Sequence, residues 1–235
     1  MKKRTKFQNI IIQGSTIIFS ILLAFSIDAW WDQRNQNLIE TEQLESIKSE
    51  LELGLSNLDN ILEQVDFHSN NIDSLIILMR NSIPSSFKVS GTLLGSTIMW
   101  RTSDVSISTL NSMMASGTLN QLTNEELRVK LANLPAIQMD LTEDELMAKE
   151  FSENHMVPFL ARMGLAGTAY SNRPGFKNFE SRTPIADFAL VTPTEEFIGM
   201  LTVRRVHFWY TQSQLPVFRN YIQELIKLID MELEK

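Results

Sequence analysis

The sequence predicts a mainly α-helical chain, in which an N-terminal transmembrane helix precedes an extracytoplasmic α-helical bundle. Three observations predict this fold class. Residues 10–31 form an apolar segment long enough to cross a bilayer. Apolar residues after this segment recur at steps of three and four, as in an amphipathic helix. Helix-start signals then follow at intervals along the rest of the chain.

The predicted membrane anchor has a basic start and an aromatic end. Four basic residues precede it, namely Lys2, Lys3, Arg4 and Lys6. No acidic residue occurs before Asp28, and the segment closes with Trp30 and Trp31, which suit the membrane interface. A helix rises about 1.5 Å per residue, so residues 10–31 can cover a hydrocarbon core of roughly 30 Å.

Charge near the anchor predicts its orientation. Lys and Arg beside a span favour the cytoplasmic side. The basic residues precede the span here, whereas Asp28, Asp32 and Glu40 follow it with only Arg34 to oppose them. We therefore expect residues 1–9 to be cytoplasmic and residues 32–235 to face outward from the membrane.

Two alternatives to a single-pass signal anchor are less favoured. A cleaved signal peptide has an apolar region of about 7 to 15 residues that ends in small residues, whereas this segment is longer and ends in a Trp pair. A second span at residues 201–229 would place too many charges in lipid. The charged and titratable residues of this stretch are Arg204, Arg205, His207, Arg219, Glu224 and Lys227.

Composition limits the partners of the outward domain. Four of the 21 basic residues precede Asp28, so the rest of the chain carries 17 basic and 28 acidic groups, a net charge of −11. This balance argues against nucleic acid and against docking on anionic lipid. The chain has no cysteine, so disulfides cannot stabilise it.

The periodic pattern predicts where the helices of the outward domain lie. One long helix is expected from residue 35 to residue 80, with its weakest point at residues 69–71, because Ser and Asn side chains compete for backbone hydrogen bonds. Later helix starts are predicted from capping signals. These are Thr123 with Glu126, Thr142 with Glu145, and Thr192-Pro193-Thr194-Glu195, in which the proline would take the first helical position.

The pattern lapses between residues 164 and 191, where an irregular loop is predicted. Its glycines and prolines break any helix, and Phe176, Phe179 and Phe188 indicate packing or docking. A final helix should follow Pro193 to the C-terminus. Pro216 should kink or split it, because proline removes a backbone hydrogen bond.

Two stretches resemble a family of short bacterial membrane-anchored proteins of unknown function. Residues 22–31 read LLAFSIDAWW, similar to the family pattern L-L-A-x-x-x-D-x-W-W. Residues 113–132 are similar to L-x-x-S-G-x-L-x-x-I-x-x-x-E-L-R-x-x-L-A, with Met113 and Leu122 in place of Leu and Ile. The resemblance leaves residues 164–191 unmatched. It implies a helical extracytoplasmic domain and no activity.

The second stretch also has a direct physical interpretation. Met113 and Met114 should end one helix, and Gly117 should provide the left-handed turn after it. Leu119 and Leu122 should pack back before the next helix starts. The motif is thus a helix–loop–helix corner, which we favour over a binding role for Glu126 or Arg128.

Small and polar residues in the anchor share one helical face. They are Gln13, Thr16, Ser20, Ala24 and Asp28, spaced by three and then four. In lipid, such a stripe permits close helix approach and interhelical hydrogen bonds of roughly 0.6 to 2 kcal/mol each. We expect a partner helix here. The alternative is that a single-pass anchor tolerates scattered polar residues and that Asp28 marks the outer interface.

A cluster near the C-terminus is the second candidate partner surface. It combines charge with aromatic area in Arg204, Arg205, Trp209 and Tyr210, residue types that often anchor interfaces. The competing interpretation, which we favour, is that the aromatic residues face the core while the arginines pair with acids.

No residue pattern indicates catalysis, a cofactor or a metal. His68, His155 and His207 are far apart, there is no H-E-x-x-H, and surface positions are expected for all three. No G-x-S-x-G, Walker or G-x-G-x-x-G motif occurs. The acids at residues 143–145 suit a helix start better than a calcium loop.

We therefore expect a non-enzymatic single-pass protein of the bacterial inner membrane, with residues 1–9 cytoplasmic and residues 32–235 periplasmic. Its helical domain should act as an accessory, assembly or interaction subunit of a larger membrane complex, through other subunits or self-association. The alternative is a ligand-sensing helical bundle that binds a small molecule between helices, closed by residues 164–191, and signals through a partner.

Overall fold

The computed structural model describes residues 2–83, 85–171, 173 and 187–234, with side chains from Gln13 onward. This part of the chain is mainly helical, as predicted. Its elements in chain order are α1 Lys2–Ser82, β1 Phe87–Ser90, α2 Gly91–Thr97, α3 Ser108–Ser116, a 3₁₀ turn at Thr118–Gln121, α4 Glu125–Phe151, a π-helical turn at Ser152–Met156, α5 Val157–Arg162, α6 Ala166–Tyr170, β2 Phe188–Val191 and α7 Glu195–Leu233.

Helix α1 is unbroken over 81 residues, about 120 Å at 1.5 Å per residue. The weak point predicted at residues 69–71 does not end it. Ser69 Oγ donates to Gln212 Oε1 at 3.4 Å, and Asn71 Nδ2 donates to Ser96 Oγ at 3.0 Å. Because these side chains bond to α7 and α2 instead of the local backbone, they do not compete with the helix.

The first part of α1 has the properties of a membrane span. Among the described residues, one helix is long and apolar enough to cross a membrane, and its apolar window near the N-terminus is not buried against the rest of the chain. From Gln13 onward, the first buried residue of α1 is Leu44. About 20 Å of exposed helix, hereafter the stalk (residues 32–43), therefore separates Trp31 from the core.

The three long helices pack through seven-residue repeats. The buried residues at one repeat position are, in α1, Leu44, Leu51, Leu58, Val65, Ile72 and Met79; in α4, Leu127, Leu134, Leu141 and Ala148; and in α7, Leu201, Phe208, Leu215, Ile222 and Ile229. A seven-residue repeat keeps one face of a helix toward its partner, as in coiled coils. The core is thus a bundle with coiled-coil-like packing.

Polar contacts between the long helices show their directions. Ion pairs join α1 to α7 at Lys48 with Asp230, Asp59 with Arg219, and Asp73 with Arg205. Hydrogen bonds join α4 to α7 at Asn124 with Glu232 and at Asp144 with Gln214. In both sets the residue numbers rise on one helix as they fall on the other. Helix α7 is therefore antiparallel to both α1 and α4.

Two of the predicted helix starts lie at the beginning of a helix. Helix α4 starts one residue later than predicted, because Asn124 is the cap and its Oδ1 accepts from Leu127 N at 3.1 Å. Helix α7 follows Thr194, whose Oγ1 accepts from Phe197 N at 3.1 Å. Pro193 thus precedes the cap and does not occupy the first helical position.

The helix start predicted at Thr142 is wrong, and of the two outcomes predicted at Pro216, a kink or a split, the split does not occur. Thr142 lies inside α4, where its Oγ1 donates to Gln138 O at 2.8 Å. Glu145, which would have completed the capping box, is buried and bonds elsewhere. Helix α7 continues through Pro216 to Leu233.

The predicted helix–loop–helix corner is confirmed. Helix α3 ends at Ser116, and Gly117 follows with φ +79° in the left-handed region. Leu119 and Leu122 are buried beyond it. Only a residue without Cβ adopts this conformation at little cost, which explains the glycine.

Residues 164–191 are not wholly irregular. They include α6 and also β2, which pairs with β1 in an antiparallel two-stranded sheet with Phe87 opposite Val191. The sequence pattern does not predict this sheet. Phe188 lies in β2 and is 55% exposed, so packing is not its role. Phe176 and Phe179 lie outside the described residues.

Candidate functional site

The stripe predicted in the anchor lies on an unbroken helix, so its residues share one face. Gln13, Thr16, Ser20, Ala24 and Asp28 are all exposed. Ser20 Oγ donates to Thr16 O at 2.8 Å, which satisfies this hydroxyl within the helix. Trp30 and Trp31 are also exposed, at the end of the apolar segment, with Arg34 over the Trp30 ring at 5.6 Å. A partner for this face stays a prediction.

The C-terminal cluster divides into a buried and an exposed part. Arg204 is 1% exposed and therefore cannot belong to a partner surface. Arg205 is partly buried and its Nε donates to Asp73 Oδ1 at 2.9 Å. Trp209 and Tyr210 are exposed, at 56% and 37%. The competing interpretation is thus right for Arg205, which pairs with an acid, and wrong for Trp209, which does not face the core.

A segment without regular secondary structure at residues 98–107 joins α2 to α3 and runs along α1 and α4, and the sequence pattern does not predict it. Among the described residues, no strand pairs with its backbone. Polar side chains of the helices therefore form hydrogen bonds with its N–H and C=O groups. The bonds are Ser152 Oγ to Ile98 O at 2.8 Å, Arg204 Nη2 to Met99 O, Ser103 N to Glu145 Oε1 at 2.9 Å, and Gln138 Nε2 to Val105 O at 3.0 Å. We call this stretch the crossing segment.

Three of the side chains that bond the crossing segment are polar residues at buried positions. Glu145 in α4, Ser152 in the π-helical turn and Arg204 in α7 lie where an apolar residue is usual. Gly54 in α1 is also buried, and a Cβ there would lie 2.5 Å from Val105 Cγ1. These exceptions to the apolar pattern are the sequence signal for a segment inserted between helices.

Arg204 is a buried cation without a carboxylate partner among the described residues. Its guanidinium lies 4.1 Å from the Phe208 ring centroid, and its Nη2 donates to Met99 O. Its Nε and Nη1 atoms have no hydrogen-bond partner in this part of the chain. Burial lowers the pKa of Arg204 to about 9, so it stays protonated at neutral pH.

An open groove and a small cavity adjoin the crossing segment. The groove has a volume of about 670 Å³, and the cavity has a volume of about 20 Å³, room for roughly one water molecule. Both are lined by Met99, Trp100 and Arg101. Arg173 and Tyr170 line the groove, whereas Arg204 and Glu145 line the cavity.

The other cations near the groove contact neutral groups. Arg101 Nε donates to Gln64 Oε1 at 2.5 Å. Lys149 Nζ lies 4.8 Å from the Trp100 ring centroid, and Arg173 lies 4.8 Å from that of Tyr170. No ion pair between described residues includes these three side chains. We call Arg101, Lys149, Arg173 and Arg204 the cation cluster.

Two of the three histidines are not at the surface positions expected of them. His68 Nδ1 and Ser96 Oγ are 2.9 Å apart, and the ring stacks on Phe208. Burial, with Arg101 and Arg204 nearby, lowers the pKa of His68 to about 4. His207 is partly buried against Phe151, and burial lowers its pKa too. His155 is exposed.

Nothing in the described residues gathers metal ligands, since no group of three His, Cys, Asp or Glu side chains there can hold an ion. Comparison with known proteins adds no assignment: no protein-family model matches the chain, and no significant match occurs among curated proteins or solved structures. The family resemblance in residues 22–31 and 113–132 stays a prediction.

Proposed function

We propose that the chain is a single-pass protein of a bacterial inner membrane, with a cytoplasmic N-terminus and a periplasmic helical domain that acts as an accessory, assembly or interaction subunit of a larger membrane complex. The continuity of α1 is the observation that supports this proposal most. One helix carries the apolar segment, the stalk and one wall of the core. A partner bound in the membrane would therefore be joined rigidly to the domain.

Two exposed surfaces are available to partner subunits or to a second copy of the chain. The anchor stripe, from Gln13 to Asp28, would contact a helix within the bilayer. Trp209 and Tyr210 form an exposed aromatic pair on α7, with ring centroids 5.2 Å apart. Aromatic side chains of this kind often supply the central contacts of an interface.

The proposal includes no enzymatic activity. Two of the groups with shifted pKa values have structural roles: Glu145 bonds the crossing segment, and His68 bonds Ser96. Burial raises the pKa of Glu145, while the hydrogen bond from Ser103 opposes that shift. Such shifts accompany catalysis in some proteins, but Glu145 and His68 each have a structural partner.

The orientation can be tested by cysteine labelling, because the chain has no native cysteine. Thr5→Cys and the exposed Ser213→Cys would each provide one thiol. In intact spheroplasts, a membrane-impermeant maleimide should label the position at 213 and not the position at 5. The reverse pattern would overturn the periplasmic assignment.

The subunit role can be tested in mildly solubilised native membranes. The particle should be larger than one chain with its detergent, and Ser20→Leu with Ala24→Leu should abolish co-purification of its partner. Ile18→Phe with Leu22→Phe adds bulk on the opposite face of the same helix and should leave the particle unchanged. A strictly monomeric wild-type particle would contradict the proposal.

A further inference from the structure

The cation cluster is unusual in a chain of net charge −7. Lys149 lies over the ring of Trp100, and Arg101 directly follows Trp100 in the chain. Arg204 lines the small cavity and Arg173 lines the groove, and Met99, Trp100 and Arg101 line both spaces. Cations in an acidic domain usually pair with its acids, yet no carboxylate among the described residues forms an ion pair with these four. Their charge is available to an external anion.

Arg204 provides the strongest evidence for an anion site. A buried, unpaired charge is strongly destabilising, and proteins normally neutralise such groups. The Phe208 ring and Met99 O meet only part of the capacity of this guanidinium, and two of its nitrogens have no partner among the described residues. The side chain lines the small cavity beneath Met99, Trp100 and Arg101.

The shape of the site fits a ligand with a small head and a larger body. The cavity of about 20 Å³ admits no more than the end of an anionic group. The adjoining groove of about 670 Å³ is within the size range of small-molecule sites, roughly 300 to 1,000 Å³. Because Arg101 lines both spaces and Arg204 lines the cavity, an anionic group between the two spaces would lie near both arginines.

The walls of the groove restrict the chemistry of the ligand. Ile61, Ile98 and Val157 supply apolar surface, and Tyr170 supplies an aromatic ring. Glu153 also lines the groove and Glu145 lines the cavity, so a second negative charge on the ligand would be repelled. The planar guanidinium group of arginine can donate two parallel hydrogen bonds to the two oxygens of a carboxylate.

We propose that this site binds a small organic monocarboxylate with an apolar or aromatic body. The carboxylate lies at the junction between Arg101 and Arg204, and the body occupies the groove beside Trp100 and Tyr170. This inference does not depend on the subunit role, because it requires only the folded domain. It assigns a ligand site to the crossing segment, whose polar contacts would otherwise serve stability alone.

The test is thermal unfolding of the full chain in detergent, with sodium butyrate, benzoate and phenylacetate as probes at constant ionic strength. A ligand that binds the folded state raises Tm in a saturable manner. At least one of these salts should do so, whereas sodium chloride and the neutral amide benzamide should not. Failure of all three carboxylates, or an equal effect of benzamide, would overturn the proposal.

Variants identify the binding residues. Arg101→Met is at an exposed position and should weaken the probe at least tenfold without preventing folding. Arg204→Met should abolish the effect where the variant folds. Arg205→Met, one residue further along α7, and Arg162→Met, on α5, are matched controls that should respond like the wild type. Unchanged binding by Arg101→Met would refute the site even if Arg204→Met does not fold.

Discussion

The carboxylate of Glu145 on α4 accepts hydrogen bonds from the backbone N–H of Ser103, with its two oxygens at 2.9 and 3.0 Å from the nitrogen. Both residues are 2% exposed. A charged side chain thus occupies a core position of the bundle in order to satisfy one backbone group of the crossing segment. The Glu145 carboxylate thus holds the crossing segment against α4.

Glu145→Leu should destabilise the domain by about 1 to 3 kcal/mol, because it leaves the buried Ser103 N–H without an acceptor. Glu145→Gln should retain most of the stability, since an amide oxygen can accept the same bond. Chemical unfolding of the full chain in detergent measures the difference. Glu143→Leu, at an exposed position of α4, is the control and should change stability by less than about 0.5 kcal/mol. Equal stability of the Leu and Gln variants at position 145 would contradict the assigned role.

Gly54→Ala should destabilise the bundle, because the new Cβ would lie 2.5 Å from Val105 Cγ1. Overpacking of this kind typically costs about 1 to 3 kcal/mol, which exceeds the gain of about 1 kcal/mol in helix propensity. Val105→Ala should remove the clash, so the double variant should be more stable than the sum of the single changes predicts. Gly199→Ala in α7 meets no atom within 4 Å and should be stabilising. If the unfolding free-energy changes of the two single variants simply add up to that of the double variant, the contact is excluded.

His68 should make the domain less stable in mild acid. The pKa of His68 is 6.5 in the unfolded chain and about 4 in the folded domain. Between these two pH values, protons therefore bind the unfolded chain preferentially. The contribution of His68 is fully present above pH 6.5 and is lost as the pH falls toward 4. Replacement by Phe should flatten the fall of Tm over this window, whereas replacement of the exposed His155 by Asn should leave it as in the wild type. Identical slopes for His68→Phe and wild type would argue against a buried neutral imidazole.

Gly117→Ala should cost about 1 to 2 kcal/mol, because φ is +79° and a Cβ is strained in the left-handed region. The space around the residue is open, so the cost reports the backbone alone. Gly167→Ala lies in α6, with no atom within 4 Å of the added carbon, and serves as the control. A neutral result at position 117, measured by the same unfolding experiment, would mean that the corner adopts another conformation.

Local signals in the sequence predict the elements that depend on neighbouring residues. Gly117 ends α3 and Thr194 caps α7 through atoms within three residues of each other, so a short motif contains the needed information. The long α1 follows from its periodic apolar residues in the same way. Thr142 misleads because a T-x-x-E pattern inside a helix is identical in sequence to one at its start.

The crossing segment and the cation cluster are not predictable in this way. Arg204 meets Met99 across 105 residues of chain, and Glu145 meets Ser103 across 42. Lys149 reaches Trp100 only because α4 packs beside the segment. The sequence shows that such residues are polar within an apolar repeat, but the tertiary arrangement alone shows which backbone groups and rings they contact.

The unbroken α1 also sets an angular relation between the anchor stripe and the core of the domain. Each residue turns a helix by about 100°, so the anchor stripe and the core face of α1 keep a constant phase. Two residues added within the stalk would turn Ser20 by about 200° relative to α7, whereas seven would restore its direction to within about 20°. A partner that holds both the stripe and the domain would therefore tolerate the longer insertion and reject the shorter one.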